Sequence, residues 1–156
     1  MSITTFVSRM KTERDRWDKL IQEIIDRGFE NEIIKNSWTL KDVICHIYWY
    51  EKELVKALEQ RTLKTIPFWN QSIKTRNQII YKQTKKVNLR EALDTSVVVF
   101  HDLVQQIEKL LDTDLKSRSF FKDSKKTVYR LVEGNSTGHY SEHDYKLIKR
   151  FDLEKE

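Results

Sequence analysis

The chain has 156 residues, enough to bury a real core, and only three Gly and one Pro, which leaves few of the breaks that tight turns between strands require. A hydrophobic share of 38% beside 34% charged residues argues against disorder, and no apolar run approaches the roughly 20 residues needed to cross a bilayer. The net charge of +5 is uneven: the stretch 61–90 holds eight basic residues and no acid, a local +8, so the rest carries −3.

The opening Met1-Ser-Ile-Thr-Thr-Phe is soon followed by Arg9, Lys11, Glu13 and Arg14 and is not expected to act as a secretion signal. Apolar residues at Phe6, Met10, Trp17, Leu20 and Ile24 predict a first helix over about 2–27, with Glu13 as the polar intruder on its seam and Gly28 as a left-handed stop. Thr39-Leu-Lys-Asp42 reads as a capping box opening a second helix, about 39–61, with a buried face at Val43, Ile47, Tyr50, Leu54 and Ala57. His46 falls on that face. Pro67 interrupts, and residues 68–84 predict a short polar helix on a long crossover.

Asn88-Leu-Arg-Glu91 starts a third long helix, about 89–112, whose seam is expected at Leu93, Val97, Phe100, Val104, Ile107 and Leu111. After a loop rich in Ser, Lys and Phe, a fourth helix is expected over about 127–152, kinked at Gly134, with a stripe of Val128, Val132, His139, His143, Leu147 and Phe151. Four long amphipathic helices predict one all-α four-helix-bundle domain over 1–156, with the crossover suiting an up-down-down-up order. The lone Cys45 excludes an internal disulfide and fits a reducing compartment, so a cytoplasmic location is expected.

Three imidazoles on core-facing stripes need partners, because an unpaired polar ring in a core is unfavourable. His139 and His143, four apart on one helix, with His46 from a facing helix, form the pattern of a zinc or nickel centre with one position left for water. The alternative is a set of pocket histidines hydrogen-bonded to neighbours. Tyr50, Asp42 and Asn135 lie one turn from these rings. Glu142, beside His143, is either a general base or a solvent-facing partner of Lys146. Tyr48-Trp-Tyr50, with Trp38, Phe68 and Trp69, supplies aromatic surface for a flat organic ligand, although bulky core is the plainer role for Trp49. Cys45 points about 100° away from His46 and reads as a small buried residue. His101 lies off its helix seam and reads as structural or exposed.

Trp38-Thr-Leu-Lys-Asp-Val-Ile-Cys-His46 resembles the Trp-Ser-x-Lys-Asp-x-x-x-His opening of the second helix in DinB-like bundles. Glu133-Gly-Asn-Ser-Thr-Gly-His-Tyr-Ser-Glu-His143 resembles their fourth-helix signature Asn-x-x-x-His-Tyr. With Arg76-Asn77 and Leu89-Arg-Glu-Ala-Leu93, the likeness is greatest to the DfsB/ClbS branch and covers nearly the whole chain. The resemblance implies a bundle with a pocket between the second and fourth long helices. It also implies a divalent metal on His46, His139 and His143, and a resistance protein that opens a strained ring of a reactive natural product by hydrolysis. Elsewhere in the superfamily it implies thiol transfer.

The expected activity is therefore that of a small hydrolase, with Glu142 and Tyr50 as candidate catalytic groups and Asn135, Tyr50 and Trp49 lining the pocket. The expected partner is a small molecule and no membrane. The aromatic-bearing basic segment is weak support for nucleic acid, no binding motif accompanying it. A non-catalytic module that sequesters a metabolite or protects DNA stays open, as does the oligomeric state, a homodimer included.

Overall fold

The computed structural model describes residues 1–153, and among these every regular element is helical. The long helices are α1 (Ile3–Asp26), α2 (Leu40–Gln60) and α4 (Leu89–Glu108), with α3 (Ile73–Thr84) on the crossover. The last rod is composite. A short α5 (Val128–Val132) passes through a π turn (Glu133–Thr137) into α6 (Gly138–Phe151). Around the bundle α1 sits beside α4 and α6, and α2 sits beside α4, the π turn and α3. No helix among the described residues is long and apolar enough to cross a membrane.

The boundaries follow local chemistry. Gly28 adopts φ 75° after α1, and the amides of Gly28 and Phe29 donate to the carbonyls of Ile25 and Ile24 at 2.9 and 3.1 Å, closing the helix end. At the start of α2 the Asp42 carboxylate accepts from the Thr39 amide at 2.9 Å. At the start of α4 the Asn88 side chain accepts from the Glu91 amide at 2.9 Å. The crossover helix begins at Ile73 rather than 68: Phe68 takes φ 59°, a left-handed turn incompatible with a helix start, and Ser72 supplies the cap.

Two seams differ from expectation. On α1 the expected Phe6, Met10, Trp17, Leu20 and Ile24 are all buried, joined by Val7 and Ile21, but the buried charge is Arg14 and Glu13 lies beside it, half-buried. On α4 the buried residues are Ala92, Ser96, Val99, Leu103, Val104 and Ile107, while Val97 is exposed, as is Leu111 beyond the helix end. Small Ala92 and Ser96 admit the extensive packing of α4 against α2. The expected seam thus holds at Val104 and Ile107, half-buries Leu93 and Phe100, and reaches solvent only at Val97 and Leu111.

The apolar interior divides into two clusters. One gathers Met10, Leu54, Leu103, Phe121 and Val132; the other gathers Trp17, Ile47, Val99, Tyr140 and Phe151. Between them, along the rods, come Arg14, Glu51 and the π turn, a polar layer through the middle of the bundle. Gly138 ends that turn because a Cβ there would run into the Glu133 carbonyl. Gly138→Ala is expected to lower stability by about 1–3 kcal/mol through this overpacking. A thermal melt indistinguishable from wild type would show that the wide turn has room to spare.

Candidate metal centre

His46 projects from α2, and His139 and His143 project from α6. The three rings converge: centroids are 4.6 Å apart for His46 and His139, 4.9 Å for His139 and His143, and 5.3 Å for His46 and His143. One ring nitrogen from each lies within 4.8 Å of the other two, and the Nε2 atoms of His46 and His139 approach to 2.8 Å. His46 and His139 are buried and His143 is half-buried.

The π turn makes this convergence possible. A wide turn shifts the register of the helix beyond it by about one residue, roughly 100° of rotation. Its sequence, Glu133-Gly-Asn-Ser-Thr137, is rich in weak helix formers. Asn135 donates its side-chain amide to the Leu131 carbonyl at 2.8 Å, stabilising the irregular backbone. The expected kink at Gly134 is thus a widened turn rather than a bend.

Burial sets the protonation of the rings. It pushes His46 well below the usual imidazole value, His139 down to about 4 and His143 down to about 3, and the mutual repulsion of neighbouring imidazoliums adds to this for His46 and His143. At neutral pH all three are neutral, and one proton is shared between the Nε2 atoms of His46 and His139 in a hydrogen bond of 2.8 Å.

The donor set fits a divalent ion of the zinc or nickel type. Tetrahedral coordination at 2.0–2.1 Å places ligand nitrogens about 3.3 Å apart. The 2.8 Å pair must open slightly and His143 must swing inward, motions of a side-chain torsion. The Nδ1 atom of His46 is buried without a hydrogen-bond partner among the described residues, whereas the His139 ring meets the Asn135 backbone one turn back.

The rings open on a cleft of about 1110 Å³ walled by α2, α5, α6 and α3. Trp38 packs against His46 at 5.2 Å and stacks on Tyr81 of α3 at 5.9 Å with the rings nearly parallel. Tyr50 meets His46 edge-on at 5.3 Å, and its hydroxyl donates to the Asn77 side chain of α3 at 3.0 Å. Asn135 and Tyr50 line the cleft; Trp49, expected with them, packs in the core against Tyr50 instead. Glu142 is exposed at the cleft, paired with Lys146 at 3.2 Å, and the hydrogen bond from that ammonium holds its carboxyl below the usual value. Asp42 is occupied in the helix cap. Cys45 is fully buried, its thiol pushed up by burial, and His101 is exposed.

One buried group was missed in the sequence. Glu51 is completely buried and accepts from the Tyr140 hydroxyl at 2.8 Å and from the Ser136 hydroxyl at 2.9 Å, while Arg14 donates to the Tyr140 oxygen at 2.8 Å. Burial pushes the Glu51 carboxyl up to about 7, opposed by Arg14 and the two hydroxyls. Ser136 lies in the π turn and Tyr140 just beyond it, on either side of His139. Glu51 therefore pins the segment that presents the α6 ring. The signal was present: Leu40, Ile44, Ile47, Glu51, Leu54 and Leu58 form an unbroken apolar row that Glu51 alone interrupts.

Among solved structures, the chain is similar to an uncharacterised protein from Escherichia coli UTI89, at 15% identity and TM-score 0.75 over 99% of this chain and 96% of that one. It is also similar to a protein described as Sibling Lethal Factor Precursor - DfsB, at 18% identity and TM-score 0.77 over 97% of this chain and 96% of that one. At such identities the likeness shows the shared fold. No curated protein matches the sequence. Residues 1–133 match the model of the DinB family, a stretch that takes in His46 and ends before His139 and His143. That match spans most of the sequence, and the chain belongs to the DinB family.

Proposed function

We propose that this protein is a small-molecule hydrolase whose cleft brings a reactive substrate to a divalent metal held by His46, His139 and His143. The observation that carries the reading is the convergence of one nitrogen from each ring within 4.8 Å, on a cleft large enough for an organic ligand. A bound ion would supply Lewis acidity and a water of near-neutral pKa. The chain supplies the remainder. Tyr50, bonded to Asn77, ties the α3 wall to α2 and shapes the space above His46. Glu142, kept ionised by Lys146, is the carboxylate beside His143 available to accept a proton. Trp38 and Tyr81 exclude water from one side of His46.

Elemental analysis is expected to find about one zinc or nickel per purified chain, and a small fraction of that in His139→Ala. A strained-ring electrophile incubated with the loaded protein in isotope-labelled water is expected to gain the label. Equal metal in both proteins would remove the three-histidine site. A second reading, sequestration without chemistry, is favoured by the direct hydrogen bond between the His46 and His139 rings, which gives both a partner within the pocket. Recovery of the electrophile unchanged, with metal bound, would favour it.

A further inference from the structure

The charge of the cleft is one-sided. Lys35, Lys74, Arg76, Lys82, Lys126, Arg130 and Lys146 line it against one acid, Glu142, which is already paired with Lys146. Arg76 is the most constrained of these cations. It rises from α3, with its guanidinium 4.6 Å from the ring centre of Trp69 and 5.9 Å from that of Tyr50. Its Nε is buried without an acceptor, and no carboxylate among the described residues pairs with it. The Lys126 ammonium lies 5.2 Å from the same Trp69 ring. A guanidinium stacked on an aromatic and short of acceptors is a ready fork for a carboxylate or phosphate. Beside His46, the stacked Trp38 and Tyr81 rings present apolar aromatic surface to the same cleft.

We infer that the substrate carries an anionic group, seated on Arg76 with Lys126, and a flat apolar portion lying on Trp38 and Tyr81 that reaches the histidines. This inference names the substrate class of the cleft and rests on the proposed function only for the reaction, not for binding. The cations line a concavity rather than a ridge, which favours a small anion over a nucleic-acid backbone.

Calorimetric titration of the chelator-treated protein with 2-naphthoate and with its uncharged isostere 2-naphthamide tests it. The acid is expected to bind at least about tenfold more tightly than the amide. Arg76→Gln should erase most of that difference while leaving the amide within about twofold of wild type. His139→Ala should keep the preference for the acid, so loss of metal binding and loss of anion selectivity are read separately. Equal affinity for the two ligands, or binding of neither up to about 5 mM, overturns the inference. So does an Arg76→Gln protein that still prefers the acid, and so does displacement of 2-naphthoate by a short DNA duplex at low salt.

Discussion

Replacing Glu51 with alanine is expected to destabilise the fold by about 2–4 kcal/mol, because it opens a cavity beside buried polar groups, although Arg14 keeps its ion pair with Asp18 at 2.9 Å. For a chain of this length that is a fall in Tm on the order of 10 °C. Arg14 is 6% exposed and Glu51 fully buried, so water cannot replace the missing carboxylate. The hydroxyls of Tyr140 and Ser136 lose their acceptor at the same time. Glu51→Gln keeps an acceptor and a similar volume, and should be far milder.

The two variants also separate in pH. Glu51 titrates near 7 in the folded chain, above the ordinary carboxyl value of 4.5. Between these values the folded state keeps a proton that the unfolded state has lost. The stability linked to this group is therefore fully present below about 4.5 and is lost as pH rises through about 7. Urea melts at about pH 5 and about pH 8 should show the wild type losing more stability than Glu51→Gln across that interval. Identical changes in both proteins would mean that Glu51 is ionised throughout.

Zinc is expected to raise the stability of the wild type by about 2.7 kcal/mol when free metal stands at about 100 times its Kd, and chelation should reverse it. His46→Ala, His139→Ala and His143→Ala should each abolish most of the gain, since each removes one of three donors. The gain should also vanish on acidification, because protons compete for the same lone pairs. With no partner on the Nδ1 atom of His46 among the described residues, affinity is expected to fall about 10–100-fold below that of a centre whose rings are all anchored. A zinc-induced shift retained in His139→Ala would place the metal elsewhere.

The helices and the histidine cluster could be read from the chain because both rest on local spacing. A three-and-four recurrence fixes a helix face, and His46, His139 and His143 each fall on such a face. What escaped depends on rotation and on distant pairing. The rows through Glu13 and through Arg14 both bury apolar residues of α1, and Arg14 is the buried charge because it reaches Tyr140 and the Ser96 carbonyl on other helices, which spacing within α1 does not show. On α4 the larger Val97 outweighed Ala92 and Ser96, although close helix packing selects small side chains, and the helix stops at Glu108 before the expected Leu111. The role of Arg76 was hidden because a polar crossover helix reads as solvated surface until it is seen folded over the histidines.

That crossover helix bears on how such a protein can diverge. Of the residues of α3 only Ile80 and Thr84 are buried, whereas the three histidine rings stand on helices locked into the core. Changes to Lys74, Arg76, Asn77 or Tyr81 would reshape one wall of the cleft without disturbing the rods that hold the histidines. The wall and the histidine cluster are thereby housed in separable parts, and a new wall could be grafted by exchanging the 12 residues of one helix.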